Sequence, residues 1–174
     1  MTRTLKILFL LLAFSGAAMA QNPAKEANIK LKSMFVYSFI KNVEWPAGVA
    51  EDSYVISIIG DKDLYQKMNA TYAGKVVNNK KLIFQFHESV KAASGANMVY
   101  VAPKLSDQVA QNQKMLATNK TLIVTDKGGQ LADGSVINFV IADSKLRFEI
   151  SNTNAQKVPL VIGPALIKMA TNVI

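Results

Sequence analysis

The chain has 174 residues, no cysteine, a single histidine and a formal net charge of +8 from 20 basic and 12 acidic residues. Without cysteine there is no disulfide, no thiolate metal site and no thiol catalysis, and one histidine cannot supply an imidazole set for zinc or copper. The positive charge is lysine spread along the chain rather than arginine and aromatics gathered on one face, which argues against nucleic acid as a partner.

Arg3 and Lys6 precede an unbroken apolar run from Ile7 to Phe14. Ser15-Gly16-Ala17 interrupts it, and Ala18-Met19-Ala20 is a small-x-small cleavage signal with Gln21 next. Residues 1–20 therefore read as a cleavable signal peptide. An uncleaved anchor is the alternative, but the run is shorter than the roughly 20 apolar residues a bilayer needs. With no cysteine after the run, a lipid anchor on an N-terminal cysteine is not available. The expected compartment is the periplasm. The mature domain, 21–174, is a single domain long enough to bury its own core. Losing Arg3 and Lys6 leaves it 18 basic and 12 acidic residues, and Arg147 is its only arginine.

Residues 21–28 are polar and read as loose. From Ile29 to Val43, apolar residues recur every three or four positions, predicting a helix buried on a wide face. Trp45-Pro46 ends it, because the residue before proline avoids helical angles. Tyr54 to Ile59 is a strand closed by Gly60-Asp61. Leu64 to Tyr72 is a short helix, with Asp61-x-Asp63 as its cap rather than a calcium loop. Leu82 to Phe86 and Met98 to Ala102 are strands, Ser106 to Thr118 a helix, and Thr121 to Thr125 a strand. Val136 to Ile141 and Lys145 to Ile150 form an antiparallel hairpin about Ala142-Asp143-Ser144. Residues 151–159 are polar, and Pro164 to Val173 closes the chain as a helix. Strands alternating with helices define an α/β domain. Its central sheet is mostly parallel, flanked by helices, with a C-terminal antiparallel hairpin.

Catalytic signatures are missing from the sequence. His87 follows a strand before Glu88-Ser89, with no Gly-x-Ser-x-Gly elbow to partner it. The glycines form neither a phosphate loop nor Gly-x-Gly-x-x-Gly. The reading is of a protein that is not an enzyme, with no catalytic, cofactor-binding or metal-binding residues.

Two places remain. Glu44-Trp45-Pro46 holds the only tryptophan, either as a plug at the helix exit or as a partner anchor. In the strand Lys145–Ile150, Leu146, Phe148 and Ile150 share one face, and Lys145, Arg147 and Glu149 share the other. Arg147 and Glu149 are either an intramolecular ion pair or a polar recognition strip.

In this order and context the chain resembles the YfiR family of periplasmic proteins. The pieces are Phe39-Ile40-Lys41-Asn42-Val43-Glu44-Trp45-Pro46, Ile58-Ile59-Gly60-Asp61, Ala73-Gly74-Lys75, Ala96-Asn97-Met98-Val99-Tyr100-Val101 and Thr121-Leu122-Ile123-Val124-Thr125-Asp126. Arg147-Phe148-Glu149-Ile150 and Leu166-Ile167-Lys168-Met169-Ala170 complete the set. The resemblance covers nearly the whole mature chain. It implies a regulator that binds the periplasmic part of an inner-membrane diguanylate cyclase or sensor histidine kinase and represses it, and so sets cyclic-di-GMP level and biofilm formation. Homodimerisation is left open. Two departures stand out: Ser151 follows Phe-Glu-Ile where the family usually has asparagine, and the cysteine pairs of some relatives are missing. Partner-contact candidates are Glu44, Trp45, Pro46, Arg147 and Glu149. The alternative is a small-molecule carrier, binding at the strand carboxyl ends near Gly60, Ala102 and Asp126.

Overall fold

The computed structural model describes residues 22–49 and 52–174, and the expected signal peptide lies outside the described residues. Helix α1 spans Pro23–Asn42, beginning well before the expected Ile29. Its start is set by Asn22, whose Oδ1 accepts from the backbone N–H groups of Ala24 at 3.1 Å and Lys25 at 3.4 Å. Pro23 stands at the first helical position, where its missing N–H costs nothing. The helix stops at Asn42, and Val43–Glu44 leaves it as strand β1.

The remaining elements are β2 (Ser53–Ile59), α2 (Lys62–Tyr72), β3 (Val76–Val77), β4 (Lys80–His87), β5 (Met98–Val101), α3 (Gln108–Thr118) and β6 (Leu122–Thr125). They are followed by β7 (Ile137–Ala142), β8 (Lys145–Ile150), α4 (Asn152–Lys157), β9 (Val161–Ile162) and α5 (Pro164–Met169). The polar stretch after β8 therefore contains a helical turn, capped by the Ser151 hydroxyl accepting from the Asn154 N–H at 3.2 Å. The closing helix ends at Met169, and the chain beyond it is extended along β8. His87 is the last residue of β4 rather than the one after it.

The sheet order is β3-β4-β2-β5-β6-β7-β8. Strands β4, β2, β5, β6 and β7 are mutually parallel; β3 and β8 add antiparallel at the two edges. This is the expected mostly parallel sheet with its C-terminal hairpin. Asp143 and Ser144 turn that hairpin with φ of 50° and 57°, the left-handed pair a two-residue loop requires. A separate ribbon pairs β1 with β9.

Helices α1, α2 and α5 cover one face. Val36, Phe39 and Ile40 of α1, Leu64 and Met68 of α2 and Leu166 of α5 pack on Ile56, Ile58, Tyr100, Phe139 and Phe148. Each such fully buried side chain contributes about 1.5–3 kcal/mol. On the other face, Val109 and Leu116 of α3 cover Val99, Val101 and Ile123. The chain passes from β2 to β4 on one side and from β5 to β6 on the other. The strand order thus reverses between β2 and β5, where open α/β sheets hold ligands outside the strand carboxyl ends.

Candidate functional site

At that reversal point the chain fills its own crevice. Gly60 follows β2 with φ of +77°, and a Cβ there would sit 2.7 Å from Leu105 Cδ1 and 3.3 Å from Ala102 Cβ. Beside it, Lys32 of α1 pairs with Asp126, the residue after β6. The Tyr100 hydroxyl donates to the same carboxylate oxygen at 2.8 Å. The side chains of Lys32 and Asp126 are 15% and 13% exposed, and Tyr100 is fully buried. Burial first, then the Asp126 charge and hydrogen bond, push the Tyr100 phenol far above the ordinary tyrosine range. So the carrier site expected near Gly60, Ala102 and Asp126 holds protein side chains. A groove of about 1140 Å³ instead lies open between α1 and α2, lined by Lys25, Lys30, Asp63, Gln66 and Lys67 among others. Asp61 is a cap, accepting from the Leu64 N–H at 2.9 Å.

The Glu44-Trp45-Pro46 segment sits at the opposite, amino end of the strands. Trp45 is half-buried, its ring 4.8 Å from that of Tyr54. Its indole N–H donates at 3.0 Å to the carbonyl of Asn97, the residue before β5. The same carbonyl accepts from the Leu122 N–H at 2.8 Å. The Asn97 side chain accepts from the Val55 N–H at 2.8 Å and donates to the Val49 carbonyl at 3.2 Å. Trp45 therefore joins a node that ties β2, β5, β6 and the 45–49 loop together. Glu44 points outward from β1, whose Val43 points in. Its charge and, foremost, burial raise the Tyr54 phenol, against a hydrogen bond from Asn78.

The second segment lies near the carboxyl end. Strand β7 meets β6 only through Ile137 and Asn138, opposite Val124 and Thr125. Val140, and Arg147 paired with it, therefore extend past the other strands. The structure does not bring Trp45 and Arg147 together. Nor does it form the Arg147–Glu149 ion pair. Glu149 accepts from the Asn138 amide at 2.9 Å. Asn138 in turn accepts from the Thr125 hydroxyl at 2.7 Å, which lies 2.7 Å from the Ser135 hydroxyl. That buried chain holds Glu149, and Arg147 is left exposed with no ion-pair or hydrogen-bond partner among the described residues. His87 ends β4, and its Nε2 lies 3.3 Å from Gln85 Oε1. Sequence reasoning missed Lys32, Asn138 and the Thr125–Ser135 pair; only the placing of Asp126 directly after a strand signalled any of this.

The described residues hold no cluster of three His, Cys, Asp or Glu able to bind a metal, and no helix long and apolar enough to cross a membrane. Architecture and side chains define an α/β domain with a doubly wound core, a self-filled crevice and an exposed basic hairpin. A model of the YfiR/HmsC-like family matches residues 29–171, so the chain belongs to that family. Its members are periplasmic regulators of cyclic-di-GMP signalling in general. No curated protein matches the chain. Among solved structures, a conserved domain protein of Vibrio cholerae O1 biovar El Tor strain N16961 superposes with a TM-score of 0.58 at 10% identity. The match covers 84% of this chain and 60% of that one, and it bears on the fold alone.

Proposed function

We propose that this chain is a non-catalytic periplasmic regulator that binds the periplasmic domain of an inner-membrane diguanylate cyclase or sensor kinase and represses it. The family match over residues 29–171 carries the reading. An exported domain can alter a cytoplasmic output only through a membrane-spanning partner, by differing affinity for that partner's two states. The crevice filled by Leu105, Lys32 and Tyr100 favours protein binding over the carrier reading. Arg147 is the leading contact, being exposed and unpartnered among the described residues, with Glu149, Glu44, Trp45 and Pro46 as further candidates.

The test is association with the periplasmic domain of the cyclase or kinase encoded nearest this chain's gene. Binding is expected, and Arg147→Ala should weaken it about tenfold, within the range of an interface arginine, with an unchanged circular dichroism spectrum. No binding to any such domain overturns the reading. Unchanged affinity of both Arg147→Ala and a folded Trp45→Ala overturns the contact assignment.

A further inference from the structure

Strand β8 is the outer strand of the sheet. Ala142 and Lys145 close its hairpin, so Lys145, Arg147 and Glu149 direct their backbone groups toward β7. Leu146, Phe148 and Ile150 direct theirs outward, to the free edge. Residues 171–174 lie along part of that edge as a parallel segment. Thr171 N–H donates to the Phe148 carbonyl at 2.9 Å, Ile150 N–H to Asn172 at 3.0 Å and Ile174 N–H to Ile150 at 3.0 Å. The Leu146 N–H, the Leu146 carbonyl and the Phe148 N–H have no such partner among the described residues. They form an open stretch of edge in line with 171–174. Exposed edges of this kind are templates for strand addition.

The side chains at the opening differ by face. Lys145 and Arg147 are exposed on the face away from α1. On the other face Ile141, opposite Leu146, is 69% exposed. We infer that this edge receives an extended segment of a partner protein, in line with residues 171–174, whose acidic side chains lie beside Lys145 and Arg147 and whose apolar ones lie beside Leu146, on the face that Ile141 extends. The inference rests on the regulator reading and supplies its mode of contact. Main-chain bonds give such an addition its affinity and alternating side chains its specificity.

A second copy of this chain fits the edge poorly. Two-fold antiparallel pairing of β8 centred on Leu146 sets Lys145 directly against Arg147 of the second copy. Shifted to place Leu146 against Phe148, it sets Arg147 against itself. Like charges directly opposite destabilise a strand pair, so the occupant is a strand of opposite charge.

The experiment uses the full mature chain and the nearest-encoded partner's periplasmic domain, read by amide hydrogen exchange and titration. In the complex the Leu146 and Phe148 amides should exchange at least about tenfold more slowly than in the free protein. Arg147→Glu and Lys145→Glu should each weaken binding by more than about tenfold, since each turns an attractive cross-strand pair into a repulsive one. Lys91→Glu, on the short helical turn before β5, should leave it unchanged. A complex in which both amides exchange as in the free protein overturns edge addition while leaving the regulator reading intact. No complex overturns both. Concentration-dependent protection of the two amides in the chain alone would assign the edge to self-association and overturn the acidic-partner inference.

Discussion

Tyr100→Phe should reverse the sign of its effect with pH. At pH 7 the variant loses one hydrogen bond to a carboxylate that keeps Lys32 as a partner. Hydrogen bonds to charged groups are worth roughly 1.5–3 kcal/mol, and the remaining ion pair places this loss at the low end, about 1.5 kcal/mol. Above pH 10 the unfolded tyrosine ionises. The folded phenol does not, because burial and the neighbouring Asp126 charge hold it protonated. A group whose folded pKa is raised contributes its full stability below the unfolded pKa and loses it as pH rises. The loss here is about 1.4 kcal/mol per pH unit. At pH 11.5 the native chain has lost about 2 kcal/mol that the phenylalanine variant never held. The variant should be less stable at pH 7, equal near pH 11 and slightly more stable at pH 11.5. Urea unfolding followed by Trp45 fluorescence, at intervals from pH 7 to 11.5, reads the difference directly. A difference that stays constant across that range would mean Tyr100 ionises alike in both states, and the buried reading of the cluster would be wrong.

Lys32→Met should cost about 2 kcal/mol, less than the 3–5 of a wholly buried pair because both partners keep some exposure. Adding Asp126→Asn should recover more than half of that loss, and strictly additive losses in the same urea titration would show that the two charges are not coupled. Gly60→Ala should lower stability by about 2 kcal/mol, combining a left-handed backbone cost of about 1 kcal/mol with the 2.7 Å approach to Leu105. An unchanged melting temperature would refute the close packing at the crevice.

Periodicity recovered what it encodes. The β-branched runs of β2, β5 and β6 and the alternating β8 are where the sequence placed them, because a strand buried on one or both faces must carry apolar residues at fixed intervals. The start of α1 was misplaced because its first turns are exposed: only the Asn22-Pro23 cap signals them, and their polar side chains read as loop. The two-residue strands β1, β3 and β9 are too short for any period to appear. Strand order, and with it the meeting of Lys32 with Asp126 across 94 positions, depends on tertiary contacts that no local pattern carries. At the candidate site, alternation gave the correct faces of Leu146–Ile150. It could not reveal that Glu149 is held by Asn138, because that bond depends on the register of β7 against β8.

The lone tryptophan and Arg147, the one arginine of residues 21–174, carried equal weight in the sequence, and their surroundings separate them. Trp45 has its indole N–H satisfied by Asn97 and its ring against Tyr54. A side chain so placed contributes to the fold at that position, and its removal lowers stability whether or not a partner touches it. Arg147 has no such side-chain partner among the described residues: Glu149, the carboxylate nearest it in sequence, accepts from Asn138. Loss of its guanidinium should change the free domain little, within about 0.5 kcal/mol for an exposed, unpaired group. Any effect on binding is then free of folding, which makes Arg147 the residue whose substitution separates contact from stability.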